Sequence, residues 1–132
     1  VKGRQPRASE GAQWLEEPDE GVRVRRPALR RHPDHALWQR DFSGSGSLFG
    51  FVLKSAPRAA VAAFVDHMQI FSMGYSWGGY ESLCLPVSIT KARTVVPWTE
   101  KGQLFRVHIG LEGIEDIKAD LSAALDRYAR AR

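Results

Sequence analysis

Apolar residues recur along this chain with two periods, and the switches between them predict its elements. From Ala8 to Glu17 the spacing is helical, with Ala12 and Leu15 on one face and Pro18 near the stop. Val22 to Arg25 alternates apolar and basic residues, which suits a short strand ending at Pro27. Leu48 to Leu53 is an unbroken apolar run with two phenylalanines, and it predicts a central strand buried on both faces. Pro57 then opens a helix over 57–68 in which Ala60, Val61, Phe64, Val65 and Met68 recur at three- and four-residue spacing. Ser82 to Val87 predicts another strand. In the run from Leu104 to Glu112, period two places Phe105, Val107 and Ile109 on one face and Arg106 with His108 on the other. The last helix is expected over 114–130, with Ile114, Ile117, Leu121, Leu125 and Tyr128 on one stripe and Asp116 and Asp120 near its positive end.

Composition narrows the class. A chain of 132 residues with 43% hydrophobic and 26% charged residues has room for a single domain, 1–132. No apolar run approaches the roughly 20 residues of a membrane helix, and residues 1 to 7 are polar, with no secretory core, so a frayed start on a soluble, cytoplasmic chain is expected. Cys84 is the only cysteine, which excludes an internal disulfide and predicts a small core residue.

The net charge of +4 falls into two clusters: Arg23, Arg25, Arg26, Arg30 and Arg31, then Arg127, Arg130 and Arg132. The first lacks the Gly-aromatic interleaving of an RNA-binding sheet and the second sits where cations complement a helix C-terminus. Both read as solvated surface or as a subunit contact, with no nucleic-acid or membrane partner implied. His32 and His35, three apart around Asp34, invite a metal reading but have no third ligand at defined spacing, so the segment reads as a surface turn. The loop from Ser43 to Ser47 lacks the lysine and following helix of a phosphate-binding loop.

Two stretches carry candidate chemistry. Gly74-Tyr75-Ser76-Trp77-Gly78-Gly79-Tyr80 puts aromatics, a hydroxyl and a double glycine between apolar strands. It suits a ligand-facing loop, because glycines allow positive φ or close approach and Ser76 and Trp77 offer donors. It suits equally a tight turn stiffened by aromatics. Arg106, held on a strand, can grip a carboxylate with two parallel hydrogen bonds, or simply face water from the sheet.

Together, Tyr-Ser-Trp-Gly-Gly-Tyr-Glu-Ser-Leu at 75–83 and Arg-Val-His-Ile-Gly-Leu-Glu at 106–112 resemble the C-terminal domain of the Cys/Met-metabolism pyridoxal-phosphate enzymes. Arg26-Pro27-Ala28-Leu29, His32-Pro33-Asp34-His35, Trp38 to Gly44, Leu48 to Lys54 and Arg93 to Trp98 extend the resemblance over nearly the whole chain, in the family's order. Trp77 and His108 lean toward its cystathionine β-lyase branch.

The resemblance implies an α/β two-layer fold, a small mainly antiparallel sheet with the helices 57–68 and 114–130 packed on one face, as in fold type I enzymes. It implies that Arg106 pairs with a substrate carboxylate, helped by Ser76 and Trp77, with Tyr75 lining the pocket. The implied reaction is β-elimination of L-cystathionine to homocysteine, pyruvate and ammonia, in methionine biosynthesis, with pyridoxal 5'-phosphate as cofactor. In that family the cofactor lysine lies in a larger N-terminal domain, which this chain lacks. None of Lys2, Lys54, Lys91, Lys101 or Lys118 stands in the cofactor-lysine context. No catalytic residue is therefore expected here, and the chain alone is expected to be inactive, its partners being the large domain and further subunits. The alternative is a stand-alone binding module with a basic surface.

Overall fold

The computed structural model describes residues 6–16 and 21–132. Most of the expected frayed start, and the helix stop at Glu17 and Pro18, lie outside those residues. The described elements are α1 (Pro6–Glu16), β1 (Arg23–Arg25), α2 (His35–Asp41), β2 (Leu48–Leu53), α3 (Arg58–Val65), β3 (Leu83–Val87), β4 (Gln103–His108) and α4 (Ile114–Arg130). The strands form one antiparallel sheet in the order β1-β2-β4-β3. The fold is the expected α/β one.

Alternation along the strands decides which layer each residue joins. Val24, Phe49, Phe51, Leu53, Phe105, Val107 and Cys84 face the helices, where Ala8, Ala12 and Leu15 of α1, Phe64 of α3 and Ile117, Leu121 and Tyr128 of α4 complete the core. Phe51 stacks on Phe105 at 5.2 Å between ring centroids, and Phe64 leans on Phe105 at 4.5 Å. The partly burying face is the other one. The register aligns Gly50, Arg106 and Leu85 in one row and Leu48, His108 and Leu83 in the next, so Arg106 and His108 stand on the sheet face that the helices leave uncovered.

Three expectations are corrected by the packing. Helix α3 ends at Val65, three residues short of Met68, because the chain turns to deliver the backbone N–H groups of Gln69, Ile70 and Phe71 to the Asp120 carboxylate, at 2.7–3.2 Å. Asp120, which the sequence places near the positive end of α4, is a buried tie between that helix and the start of the bend segment. The first arginine cluster is exposed at Arg23, Arg30 and Arg31, as expected, but not throughout. Arg26 is only 3% exposed, and its Nη2 donates to Ser45 Oγ (2.7 Å) and the Gly46 carbonyl (2.8 Å). Burial lowers its pKa, and Arg23 and Arg25 both pair with Glu100. From the second cluster, Arg127 reaches across to α3, where Nε and Nη2 donate to the Ala63 and Phe64 carbonyls that the end of that helix leaves without intrahelical partners.

Candidate functional site

The segment between α3 and β3 is carried to the open face of the sheet and pinned there by β4. Arg106 donates from Nη2 to the Tyr75 carbonyl at 2.7 Å and to the Gly74 carbonyl at 3.3 Å. Its guanidinium lies 5.8 Å from the Tyr75 ring centroid, within cation–π range. Arg106 and the bend backbone are thus brought together. Ser76 follows directly on Tyr75. Its side chain, like that of Trp77 (63% exposed), makes no hydrogen bond among the described residues and projects toward solvent. Tyr75, Ser76 and Trp77 are thus exposed, while Arg106 is held on the bend backbone.

A second pair of contacts fixes the far side of the bend. His108 is buried, with Nε2 at 3.0 Å from the Gly79 carbonyl and Nδ1 at 2.8 Å from Ser47 Oγ and 3.4 Å from the Gly78 N–H. A cavity of about 250 Å³ opens here, lined by Ser47, Gly78, Gly79, Tyr80, His108 and Gly110 among others. The hollow the structure forms at the bend is therefore on the His108 side. Gly78 has φ +88°, the left-handed conformation that favours glycine.

The bend ends on a third anchor. Glu112 accepts from the Ser82 N–H and hydroxyl, both at 2.7 Å, while Ser82 Oγ accepts from the Gly110 N–H at 2.9 Å. Burial by itself would raise the Glu112 carboxyl, but the Ser82 donors, with a further contribution from His108, outweigh it and hold the pKa below its ordinary value. Gly110 has no side chain to offer because a Cβ there would lie 2.1 Å from the Tyr80 carbonyl, the same carbonyl that accepts from the Leu111 N–H. Sequence reasoning names Ser82, His108 and Glu112 only as parts of recognisable runs. The signal was their presence beside the bend and the arginine strand; their pairing, and that of Ser47 with His108, joins residues 30 to 61 positions apart.

Other candidates resolve plainly. His35 donates from Nδ1 to the Pro27 carbonyl and the Asp34 N–H donates to His32 Nδ1, so both rings are used in the local turn. Among the described residues no group of three His, Cys, Asp or Glu side chains is placed to hold a metal ion. No described helix is long and apolar enough to cross a membrane. Cys84 is buried, and burial, reinforced by the Asp120 charge, pushes its thiol up to about 12, so it does not act as a nucleophile.

Residues 1–126 match the family of Cys/Met metabolism PLP-dependent enzymes. The chain belongs to that family. It is 46% identical to a cystathionine beta-lyase of Salmonella typhimurium over 120 residues, which is 88% of this chain and 30% of the relative. It is 40% identical to an L-alanine/L-glutamate racemase of Wolbachia pipientis, over 96% of this chain and 32% of the relative. Among solved structures, a cystathionine gamma synthase from Xanthomonas oryzae in complex with cystathionine superposes with a TM-score of 0.76 at 31% identity, over 98% of this chain and 35% of that one. The chain thus spans about a third of the length of the relatives it matches.

The family is pyridoxal-phosphate dependent, and the described residues do not by themselves build a seat for that cofactor. The bend lies at the His108 end of β4. Lys54 follows the opposite end of β2, Lys101 precedes β4, and Lys91 follows β3 at that same opposite end. Lys118 is on α4, paired with Glu10 and Glu115. None reaches the bend.

Proposed function

We propose that this chain is the C-terminal, substrate-carboxylate-binding part of a PLP-dependent carbon–sulfur lyase that cleaves L-cystathionine to homocysteine, pyruvate and ammonia in methionine biosynthesis. One observation carries the reading: Arg106, presented by an interior strand, is braced on the bend backbone by Nη2 alone. Nε and Nη1 have no partner among the described residues, and a carboxylate gripped in the two-pronged way takes over one of the Nη2 contacts to the bend. A braced guanidinium loses less freedom on binding than a solvent-borne one, and its two-pronged grip fixes both the position and the rotation of an amino acid. Ser76 and Trp77 stand beside that grip with unspent donors, and Tyr75 forms its wall.

The names of the relatives favour cystathionine as the ligand, and a racemase among them supports the view that this part serves more than one reaction. That division of labour fits a domain that holds the carboxylate common to all amino acids. The chemistry of bond cleavage, and the lysine it requires, is assigned to the remainder of a longer enzyme, to which this domain and further subunits would dock; the chain alone is inactive in this proposal. A basic-surface binding module is disfavoured, because Glu100 pairs with Arg23 and Arg25 and Arg26 is buried.

The test is a titration of the chain with L-cystathionine, read by the fluorescence of exposed Trp77. Arg106→Lys should weaken binding at least about tenfold, because an ammonium cannot reproduce the bidentate geometry. Equal affinity of the variant would overturn the clamp. Pyruvate release from cystathionine by the chain with added pyridoxal phosphate would overturn the claim of inactivity.

A further inference from the structure

The two polar residues of β4 that face the bend are two positions apart, and each holds a different half of it. Arg106 takes the carbonyls of Gly74 and Tyr75, and His108 takes Gly78 and Gly79. Ser76 and Trp77 are the residues left between these anchors. Same-face positions on a strand are separated by roughly 7 Å, so β4 sets the span across which Ser76 and Trp77 are stretched. We propose that His108 is a positioning residue: acting through Gly78 and Gly79, it sets where Ser76 and Trp77 stand relative to the Arg106 guanidinium. The role of what is positioned rests on the carboxylate-clamp reading; the positioning itself does not.

The ring's partners fix how it works. Gly79 O can only accept, so Nε2 carries the proton, and Nδ1 is the acceptor for the Gly78 N–H and the Ser47 hydroxyl. One neutral ring thereby satisfies both the amide of Gly78 and the carbonyl of Gly79. Ser47 is itself held: its carbonyl accepts from the Ile109 N–H at 3.1 Å, and its loop is gripped from below by buried Arg26 at Ser45 and Gly46. The Ser47 hydroxyl therefore orients the ring from a fixed point, and the ring in turn orients the bend. No other described side chain bonds the backbone between Ser76 and Gly79. Without His108 that stretch has only Arg106 at one end and the Tyr80 carbonyl contact with Leu111 at the other.

The experiment compares the chain with His108→Leu, His108→Gln and Ser47→Ala by nuclear magnetic resonance. In the parent chain the ring nitrogen signals should report the Nε2–H tautomer; the Nδ1–H tautomer or a freely exchanging ring would overturn the proposal. Removing both ring contacts in His108→Leu should speed amide exchange at Gly78 about tenfold and shift the carbonyl carbon signal of Gly79, with Phe105 and Val107 unchanged. His108→Gln, whose amide can still donate to Gly79 O, should restore order at Gly79 but not at Gly78. Ser47→Ala, which leaves the core intact, should loosen the bend less than His108→Leu, and it carries the test if the leucine variant does not fold.

Unaltered exchange at Gly78 in both His108→Gln and Ser47→Ala would overturn the proposal. Each sample is then titrated with L-cystathionine. Weaker binding in the loosened variants, with Arg106 in place, is the expected result, and a loosened bend with undiminished affinity would overturn the link to Ser76 and Trp77. A parent chain that binds no cystathionine but shows the expected exchange pattern would sink the clamp reading and leave the bracing of the bend intact.

Discussion

Gly78 and Gly79 are adjacent and identical in sequence, yet they face different demands. Gly78 sits at φ +88°, whereas Gly79 has an ordinary φ and open space where a Cβ would go. Gly78→Ala should therefore cost about 1–2 kcal/mol and Gly79→Ala much less, a contrast readable by urea unfolding. Asp120 offers a larger effect. Its carboxylate serves three backbone N–H groups in a buried setting, so Asp120→Ala should lower stability by about 3 kcal/mol in the same assay. At Glu112 the folded pKa is depressed, so the stabilisation is fully present above the unfolded value and is lost as pH falls through the folded one. The chain should lose stability on acidification below about pH 4.5, the ordinary value for this group, and Glu112→Gln should flatten that part of a stability-versus-pH curve. At this scale the sequence shows which residues are chemically able to act. It does not show partners, because Asp120 and Gln69, or Ser47 and His108, meet only through chain reversals of some fifty residues or more.

Elements were legible wherever a period was long enough to be read. The six apolar residues of β2 and the five-membered stripe of α4 define those elements within a residue or so. Element ends were decided by contacts. Helix α3 stops at Val65 because the segment after it is committed to Asp120, a claim on its backbone that no local pattern contains. Helix α4 begins at Gly113, which lies in extended backbone and contributes no side-chain cap. Gly113→Ser should add a few tenths of a kcal/mol in thermal unfolding. A Cβ there would lie 2.8 Å from Asp116 Oδ2, so in either variant that side chain swings aside, and aspartate should do less well because its charge would repel the Asp116 carboxylate.

For the whole molecule, the two faces of one sheet divide the work. The helix side holds the aromatic core, in which Phe64 touches Phe51, Phe105 and Tyr128. Phe64→Ala should destabilise the chain by about 3–5 kcal/mol without altering the bend's contacts, as measured by denaturation alongside the bend amide signals. The open side carries Arg106, His108 and the bend, and with them Tyr75, Trp77 and Tyr80 at 83%, 63% and 70% exposure. The sequence by itself determined the main strands and helices and the face on which Arg106 would stand, because alternation and helical spacing are local consequences of backbone geometry, while its motifs carried the family and, through that resemblance, the two-layer architecture. The tertiary structure alone decided that basic residues near β1 would be paired or buried. It alone turned His108 inward onto the glycines and made the hollow open beside His108. Those outcomes depend on which distant polar groups must satisfy one another once water is excluded, and only the closed fold brings such groups within hydrogen-bonding distance.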